Sequence, residues 1–195
     1  MAQKVTGAII AGGKSTRMGG NDKALMPLRG KPMIEWVIER LRPQVDALLI
    51  NSNNAAREFK PFGLPVIADI IKGHIGPLAG LHACMTQAKT PLLACVPCDA
   101  PLLPSDLIAR LHAALVKTNA DVAVAKTASS LQPAFFVCRN GLSRSIESHL
   151  AEGGYALRHW MAQQHCVELL FNDEEAFSNI NSPQELGAFN AHFSD

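Results

Sequence analysis

VTGAIIAGGKST, residues 5–16, contains the change of residue type that decides the fold class. Residues 5–11 form a continuous apolar run, which is typical of a strand covered on both faces of a parallel sheet. The ending Gly13-Lys14-Ser15 resembles the end of a Walker A loop, but that motif has four residues after its first glycine. Five residues separate Gly7 from Gly13, and most of them belong to the apolar run. The stretch therefore predicts a buried strand followed by a glycine-rich loop of another kind.

Further strand-like runs follow along the chain, and helical segments alternate with them. Apolar runs occur at 47–50, 66–68 and 92–96, and looser strand patterns occur at 122–125, 133–137 and 167–171. Strand and helix in alternation predict an α/β fold in three layers, Rossmann-like, with a mostly parallel central sheet. The length of 195 residues fits a single domain, 1–195. Ligands of such sheets bind beyond the carboxyl ends of the strands.

Composition excludes several classes of function. Hydrophobic residues make up 48% of the chain, and 18 Lys and Arg against 17 Asp and Glu give a net charge of +1. This balance provides no bulk attraction to nucleic acid or to an anionic membrane, so an anionic ligand must be bound locally. Five cysteines, no secretion signal and no apolar run of about 20 residues predict a cytoplasmic protein without a disulfide framework.

The loop after the first strand is rich in groups that bind phosphate. Residues 11–23 read AGGKSTRMGGNDK and contain four glycines together with Lys14, Arg17 and Lys23. Glycines bring bare backbone N–H groups against phosphate oxygens, and the basic side chains supply countercharge. The loop predicts a polyphosphate site, and the alternative is a mobile surface loop with solvated cations.

Polar side chains follow the later strands at the same edge of the predicted sheet. Asp99 comes after the 92–96 strand, and one such carboxylate suffices for Mg²⁺ when phosphate oxygens complete its coordination. The alternative is an aspartate that begins a helix ahead of Pro101. Cys95 and Cys98 have the spacing of a redox pair, but the strand around Cys95 and the charge of Asp99 disfavour a reactive thiolate.

Asn51 and Asp69 also follow strands, and Gly76-Pro77 precedes a helix whose N-terminal amides can face a ligand. Side-chain amides, carboxylates and carbonyls are suitable acceptors for the N–H groups of guanine. Considered alone, Asn51 is equally well explained as a turn residue.

Four segments in order resemble the signature of the nucleotidyltransferases, in the form found in bacterial molybdenum cofactor guanylyltransferases. They are residues 11–32, with AGGKSTRMGGNDK and LRGKP, then GPLAG at 76–80, PCDAP at 97–101 and NINSPQEL at 179–186. The resemblance implies transfer of GMP from GTP to the terminal phosphate of molybdopterin, with Mg²⁺ as cofactor and pyrophosphate as product. The resemblance also implies further partners of the protein, namely other molybdenum cofactor biosynthesis proteins and the apo-enzymes that receive the cofactor.

The resemblance also implies roles for individual residues. It divides the chain into a GTP-binding half, 1–118, and a molybdopterin-binding half, 119–195. The implied catalytic residues are Arg17, Lys23 and Asp99, with Asp99 as metal ligand and Lys14 as the next candidate. The implied binding residues are Ile10, Ala11, Gly12, Gly13, Lys23, Asn51, Asp69, Gly76, Asp99, Asn179 and Asn181.

The molybdopterin pocket is expected near Gln132-Pro133 and residues 153–160. Here Tyr155 stands where relatives often have an arginine, with Arg158 nearby, and Trp160 is expected in the core. The rival functions are a sister enzyme that uses CTP or a sugar phosphate, and a nucleotide-binding accessory protein without catalysis. The sequences Ala-Gly-Gly at 11–13 and Cys-Asp-Ala-Pro at 98–101 resemble those of the GTP-using enzymes and favour GTP over CTP or a sugar phosphate. The presence of both Lys23 and Asp99 favours an enzyme over an accessory protein.

Overall fold

The computed structural model describes residues 3–12, 22–54, 56–73, 76–181 and 185. In chain order its strands are β1 Val5–Ile10, β2 Pro27–Leu28, β3 Lys31–Pro32, β4 Ala47–Asn51, β5 Val66–Ile67, β6 Leu92–Pro97, β7 Val122–Lys126, β8 Leu131–Arg139 and β9 Cys166–Leu170. Its α-helices are α1 Met33–Leu41, α2 Ala56–Phe59, α3 Pro77–Gln87, α4 Leu107–Thr118, α5 Ser143–Ala151 and α6 Leu157–Met161. Short 3₁₀ turns occupy Lys23–Leu25, Arg42–Gln44, Lys60–Phe62, Asn140–Leu142 and Glu175–Phe177.

Within these residues the central sheet has seven strands in the order β5-β4-β1-β6-β8-β7-β9, and β2 and β3 pair in a separate small hairpin. All neighbours in the sheet run parallel except at β8, which is antiparallel to both β6 and β7. The predicted α/β fold with a mostly parallel central sheet is confirmed. The carboxyl ends of β5, β4, β1 and β6 therefore meet at one edge.

Alternate residues of the buried strands serve two separate cores. In β1, Ile9 packs with helices α1 and α4 on one face, and Ala8 packs with α3, α5 and α6 on the other. Both faces of the strand are thus covered, which explains why β1 has no polar alternation. The predicted core position of Trp160 is confirmed, since the side chain is fully buried in the second core.

The chain returns to the carboxyl edge after its last strand. Phe177 contacts Phe171 and Phe135 edge to face, with ring centroids 5.2 and 5.0 Å apart. This aromatic cluster fixes the segment that follows, and the N–H of Ile180 donates to the carbonyl oxygen of Asp99 at 2.9 Å. The two predicted halves therefore share one sheet and one edge, while their division into two binding halves at residue 118 remains a prediction.

Candidate active site at the carboxyl edge of the sheet

Backbone hydrogen bonds hold three strand ends together at this edge. The N–H of Ala11 donates to the carbonyl oxygen of Asn51 at 2.8 Å, and the N–H of Cys98 donates to that of Ile10 at 3.2 Å. The parallel pairing of β1 with both β4 and β6 is thus extended past the last strand residues. The predicted residues Ile10, Ala11 and Asn51 lie next to one another as a result.

Lys23 and Asp99 face each other across the edge, although they are 76 positions apart in the sequence. The Nζ of Lys23 donates to Asp99 Oδ2 and, at 2.8 Å, to Asn181 Oδ1. Asp22 fixes the turn that carries Lys23, because its Oδ1 accepts from the N–H of Ala24 at 3.0 Å. The ammonium group of Lys23 thus links the first loop to Asp99, which follows β6, and to Asn181 of the returning segment.

The second oxygen of Asp99 differs from the first. Oδ1 is buried, and among the described residues it has no hydrogen-bond partner. A buried carboxylate oxygen without a donor is unfavourable unless a cation or another donor reaches it. Asp99 therefore offers one oxygen to Lys23, while its second oxygen is buried and has no partner among the described residues.

Asn51 and Asp69 form a second polar group beside β4. The side chain of Asn51 is buried, and its Nδ2 donates to the Ile67 carbonyl at 3.0 Å and to Asp69 Oδ1 at 2.8 Å. A Cβ added to Gly80 of α3 would lie 2.1 Å from Asn51 Oδ1, so the glycine leaves the space that the amide fills. Helix α3 thereby packs directly against the side-chain amide of Asn51 at Gly80.

The N-terminus of α3 borders the same region. Gly76 precedes it with a φ of 77°, a conformation that glycine adopts readily, and Pro77 occupies the first helical position. The carbonyl oxygen of Tyr155 lies 3.5 Å from the place where a Cβ of Gly76 would stand. The loop before α6 therefore adjoins the helix end, and the Tyr155 side chain is about half exposed there (51%).

The structure brings most of the predicted site residues together and leaves others untested. Asn179 is exposed, and its carbonyl oxygen accepts from Asn181 Nδ2 at 3.3 Å. Gln132 donates to Thr127 Oγ1 at 3.2 Å in the turn between β7 and β8. The predictions for Gly13, Lys14 and Arg17 lie outside the described residues.

Sequence reasoning missed three residues of this edge. Asn53 donates to Asp69 Oδ2 at 2.7 Å, and Asn54 donates to Asp22 Oδ2 at 2.6 Å. The signal that could have revealed them is the cluster of amides in Asn-Ser-Asn-Asn directly after β4. Asp22 stood inside the quoted loop motif without an assigned role.

The cysteines do not form a reactive pair. Burial raises the pKa of both Cys95 and Cys98 above that of a free thiol, and the nearby charge of Asp99 raises the pKa of Cys98 further. Every cysteine is a free thiol. The expectation that these residues are not a redox site agrees with this environment, because reactive cysteines need a lowered pKa.

Two features are absent from the described part of the chain. No group of three or more His, Cys, Asp or Glu side chains is arranged to hold a metal ion. No helix there is long and apolar enough to cross a membrane.

Comparison with known proteins agrees with this geometry. A family model described as the MobA-like NTP transferase domain matches residues 7–168. The chain belongs to this family. Two curated relatives carry the name molybdenum cofactor guanylyltransferase. The one from Burkholderia ambifaria (strain MC40-6) is 47% identical over 193 residues, 94% of each chain. The one from Shewanella loihica (strain ATCC BAA-1088 / PV-4) is 40% identical over 186 residues, 95% of each chain.

Two solved structures share the fold of this chain. Molybdopterin-guanine dinucleotide biosynthesis protein A from Archaeoglobus fulgidus superposes with a TM-score of 0.80 at 22% identity, covering 97% of this chain and 98% of that one. The 4-diphosphocytidyl-2C-methyl-D-erythritol synthase from Anaerococcus prevotii gives the same TM-score at 10% identity, with both chains fully covered. At these identities the comparison concerns the fold alone. The resemblance to nucleotidyltransferases noted in the sequence is confirmed by the family model and by the two relatives.

Proposed function

We propose that this MobA-like NTP transferase transfers GMP from GTP to the terminal phosphate of molybdopterin and releases pyrophosphate. The names of relatives that are 40 to 47% identical over nearly the whole chain support this activity. The observation that carries it is the arrangement around Asp99, with Lys23 on one carboxylate oxygen and a buried, unpartnered second oxygen. This arrangement supplies the cation and the free carboxylate oxygen that a displacement at phosphorus uses.

The reaction is a displacement at phosphorus. A terminal phosphate oxygen of molybdopterin forms a bond to the α-phosphorus of GTP, and the bond from that phosphorus to the bridging oxygen breaks. The electron pair leaves with pyrophosphate. A phosphate monoester has a second pKa of about 6 and is largely dianionic near neutral pH. The nucleophile therefore needs no general base. The proposed catalytic residues Lys23 and Asp99 accordingly act through charge and metal binding and not through proton transfer.

The main barrier is repulsion between two polyanions, so catalysis depends on positioning and on positive charge. Lys23 is held between Asp99 and Asn181, which directs its ammonium group to the carboxyl edge. The N-terminus of α3 adds backbone N–H groups and a favourable helix dipole. Arg17, from the glycine-rich loop, is the further proposed cation.

The unpartnered Oδ1 of Asp99 fits a divalent cation, and we infer that the ion is Mg²⁺. When bound, Mg²⁺ neutralises charge on the triphosphate and orients it for the displacement. Mg²⁺ usually keeps several waters and takes only one or two protein carboxylates, so Asp99 alone is sufficient. Rv0371C from Mycobacterium tuberculosis H37Rv has a solved structure in complex with manganese. It shares the fold of this chain, with a TM-score of 0.70 at 14% sequence identity.

We place the two substrates at different parts of this edge. The proposed guanine site lies at Asn51 and Asp69, with the nucleotide backbone along Ile10, Ala11 and Gly12. The proposed molybdopterin site lies on the later half of the chain. It comprises the surroundings of Gln132, Tyr155 and Arg158 together with Asn179 and Asn181. Asn181 is the residue that links the two sites, because it contacts Lys23 directly.

Pyrophosphate release with each nucleoside triphosphate, with and without molybdopterin, tests this function. Among the nucleoside triphosphates, we expect only GTP to release pyrophosphate, and only when molybdopterin and Mg²⁺ are both present. Release from CTP or with a sugar phosphate would establish the sister activity, and nucleotide binding without turnover would establish an accessory protein.

Asp99→Asn tests the site itself. We expect kcat to fall by about 100-fold or more, the order found when one charge-stabilising group is removed from an active site. Asp106→Asn is the matched control, because Asp106 is exposed and pairs only loosely with Arg110, at 3.6 Å. Equal activity of the two variants would contradict the role of Asp99.

A further inference from the structure

Asn53 makes two hydrogen bonds to a single residue, Asp69. Its Nδ2 donates to Asp69 Oδ2 at 2.7 Å, and its Oδ1 accepts from the backbone N–H of Asp69 at 2.9 Å. The side-chain amide thus closes a ring with the main chain and the carboxylate of a residue 16 positions away. Asn53 is exposed, so this ring is not a requirement of core packing.

The ring fixes the direction of the Asp69 carboxylate. Rotation about the last side-chain bond of an aspartate is normally broad. Here Oδ2 accepts from Asn53 while Oδ1 accepts from Asn51 at 2.8 Å, so rotation would break both bonds. A carboxylate has about four lone-pair directions. About two therefore remain for a ligand, in an orientation that the protein has already set.

We propose that Asn53 is a positioning residue that determines base selectivity by holding the Asp69 carboxylate against the N–H donors of guanine. The proposal rests on the proposed function, because it requires a guanine base beside Asp69. Guanine presents a ring N–H and an exocyclic amino group side by side, which two fixed acceptor directions match. Hypoxanthine lacks the amino group, and adenine and cytosine present a ring acceptor that a carboxylate repels.

The test compares kcat/KM for GTP and for ITP with the full chain, Mg²⁺ and molybdopterin. Asn53→Ala removes the ring, and Asn53→Asp keeps the shape but replaces the donor to Asp69 with an acceptor. We expect the GTP to ITP ratio to fall about tenfold in both variants, since a tenfold change corresponds to the order of one hydrogen bond. The change should appear in KM for GTP, with kcat nearly unchanged, because Lys23 and Asp99 are untouched.

Glu58→Ala is the control variant, because Glu58 is an exposed residue of the neighbouring helix α2. Its GTP to ITP ratio should equal that of the parent protein. Circular dichroism and thermal melting establish that each variant is folded, and the two different Asn53 substitutions guard against misfolding of either one.

The outcomes separate this proposal from the proposed function. A parent protein that does not turn over GTP, or that prefers CTP, refutes the proposed function before any variant is considered. A parent that prefers GTP together with Asn53 variants that retain the ratio overturns the positioning role and leaves the function standing. An equal loss of kcat with both nucleotides also overturns it, because that result indicates a general structural role.

Discussion

Replacing Gly80 with alanine should damage the site, because the added methyl group would displace the side chain of Asn51. The added Cβ would lie 2.1 Å from Asn51 Oδ1 and 2.7 Å from Asn51 Cγ. An optimal contact between carbon atoms is about 3.5 to 4.0 Å. Asn51 is buried, and both its donor bonds depend on its present position. The substitution must therefore displace the amide.

The cost follows from the bonds that Asn51 loses. The bond to the Ile67 carbonyl contributes about 1 kcal/mol, and the bond to the charged Asp69 contributes about 1.5 to 3 kcal/mol. Alanine offsets about 1 kcal/mol because glycine is unfavourable inside a helix. The net loss of unfolding free energy is therefore about 1.5 to 3 kcal/mol. For a chain of this size that lowers Tm by roughly 3 to 12 °C, and KM for GTP should rise as well.

A double-mutant cycle with Asn51→Ala isolates the clash. Urea unfolding of the parent, both single variants and the double variant gives the coupling energy. In the Asn51→Ala background Gly80→Ala should be neutral or stabilising, because the methyl group enters vacated space. Gly141→Ala is the control, since a Cβ there meets nothing within 4 Å. An equal cost of Gly80→Ala in both backgrounds would refute the steric argument.

Three other perturbations address the charges of the site and the buried thiols. Asn181→Ala should lower kcat about tenfold, because Lys23 loses an acceptor at 2.8 Å; steady-state pyrophosphate release checks it, and an unchanged kcat contradicts it. Asp99→Asn should tighten GTP binding in EDTA and abolish its enhancement by Mg²⁺, as calorimetry can measure, whereas retained Mg²⁺ enhancement would place the metal elsewhere. Burial raises the pKa of the Cys84 thiol from 9.0 to about 12. The free energy of unfolding should therefore fall as the pH rises above about 9, because only the unfolded chain loses the thiol proton there. A free energy of unfolding in urea that stays constant from pH 8 to 10.5 would argue against this.

The strands of the sheet could be predicted because burial on both faces leaves a mark in the sequence. Ala8 and Ile9 enter different cores, so neighbouring positions of β1 are both apolar. The insertion of β8 between β6 and β7 leaves no such mark, because strand order depends on pairing between distant segments. Strands of two residues, such as β2 and β3, are too short for any periodicity.

The same limit applies to the site. Asn51, Asp69 and Asp99 were predictable because parallel strands end at one edge, and the polar residues that follow them must gather there. Asn53 and Asn54 follow a strand too, but asparagine is equally typical of turns. Their hydrogen bonds reach residues 16 and 32 positions away, and only the folded chain brings those partners together.

The pairing of Lys23 with Asp99 explains why the site should depend on a metal ion. The carboxylate offsets the charge of the lysine, so this pair alone contributes little net attraction to a triphosphate. The buried Oδ1 of Asp99 is the proposed place where a divalent cation would restore positive charge beside the same carboxylate. Nucleotide affinity and catalytic charge are thereby coupled through one residue. That coupling is the physical reason to expect that removing the Asp99 charge strengthens metal-free binding of GTP while it lowers kcat by about 100-fold or more.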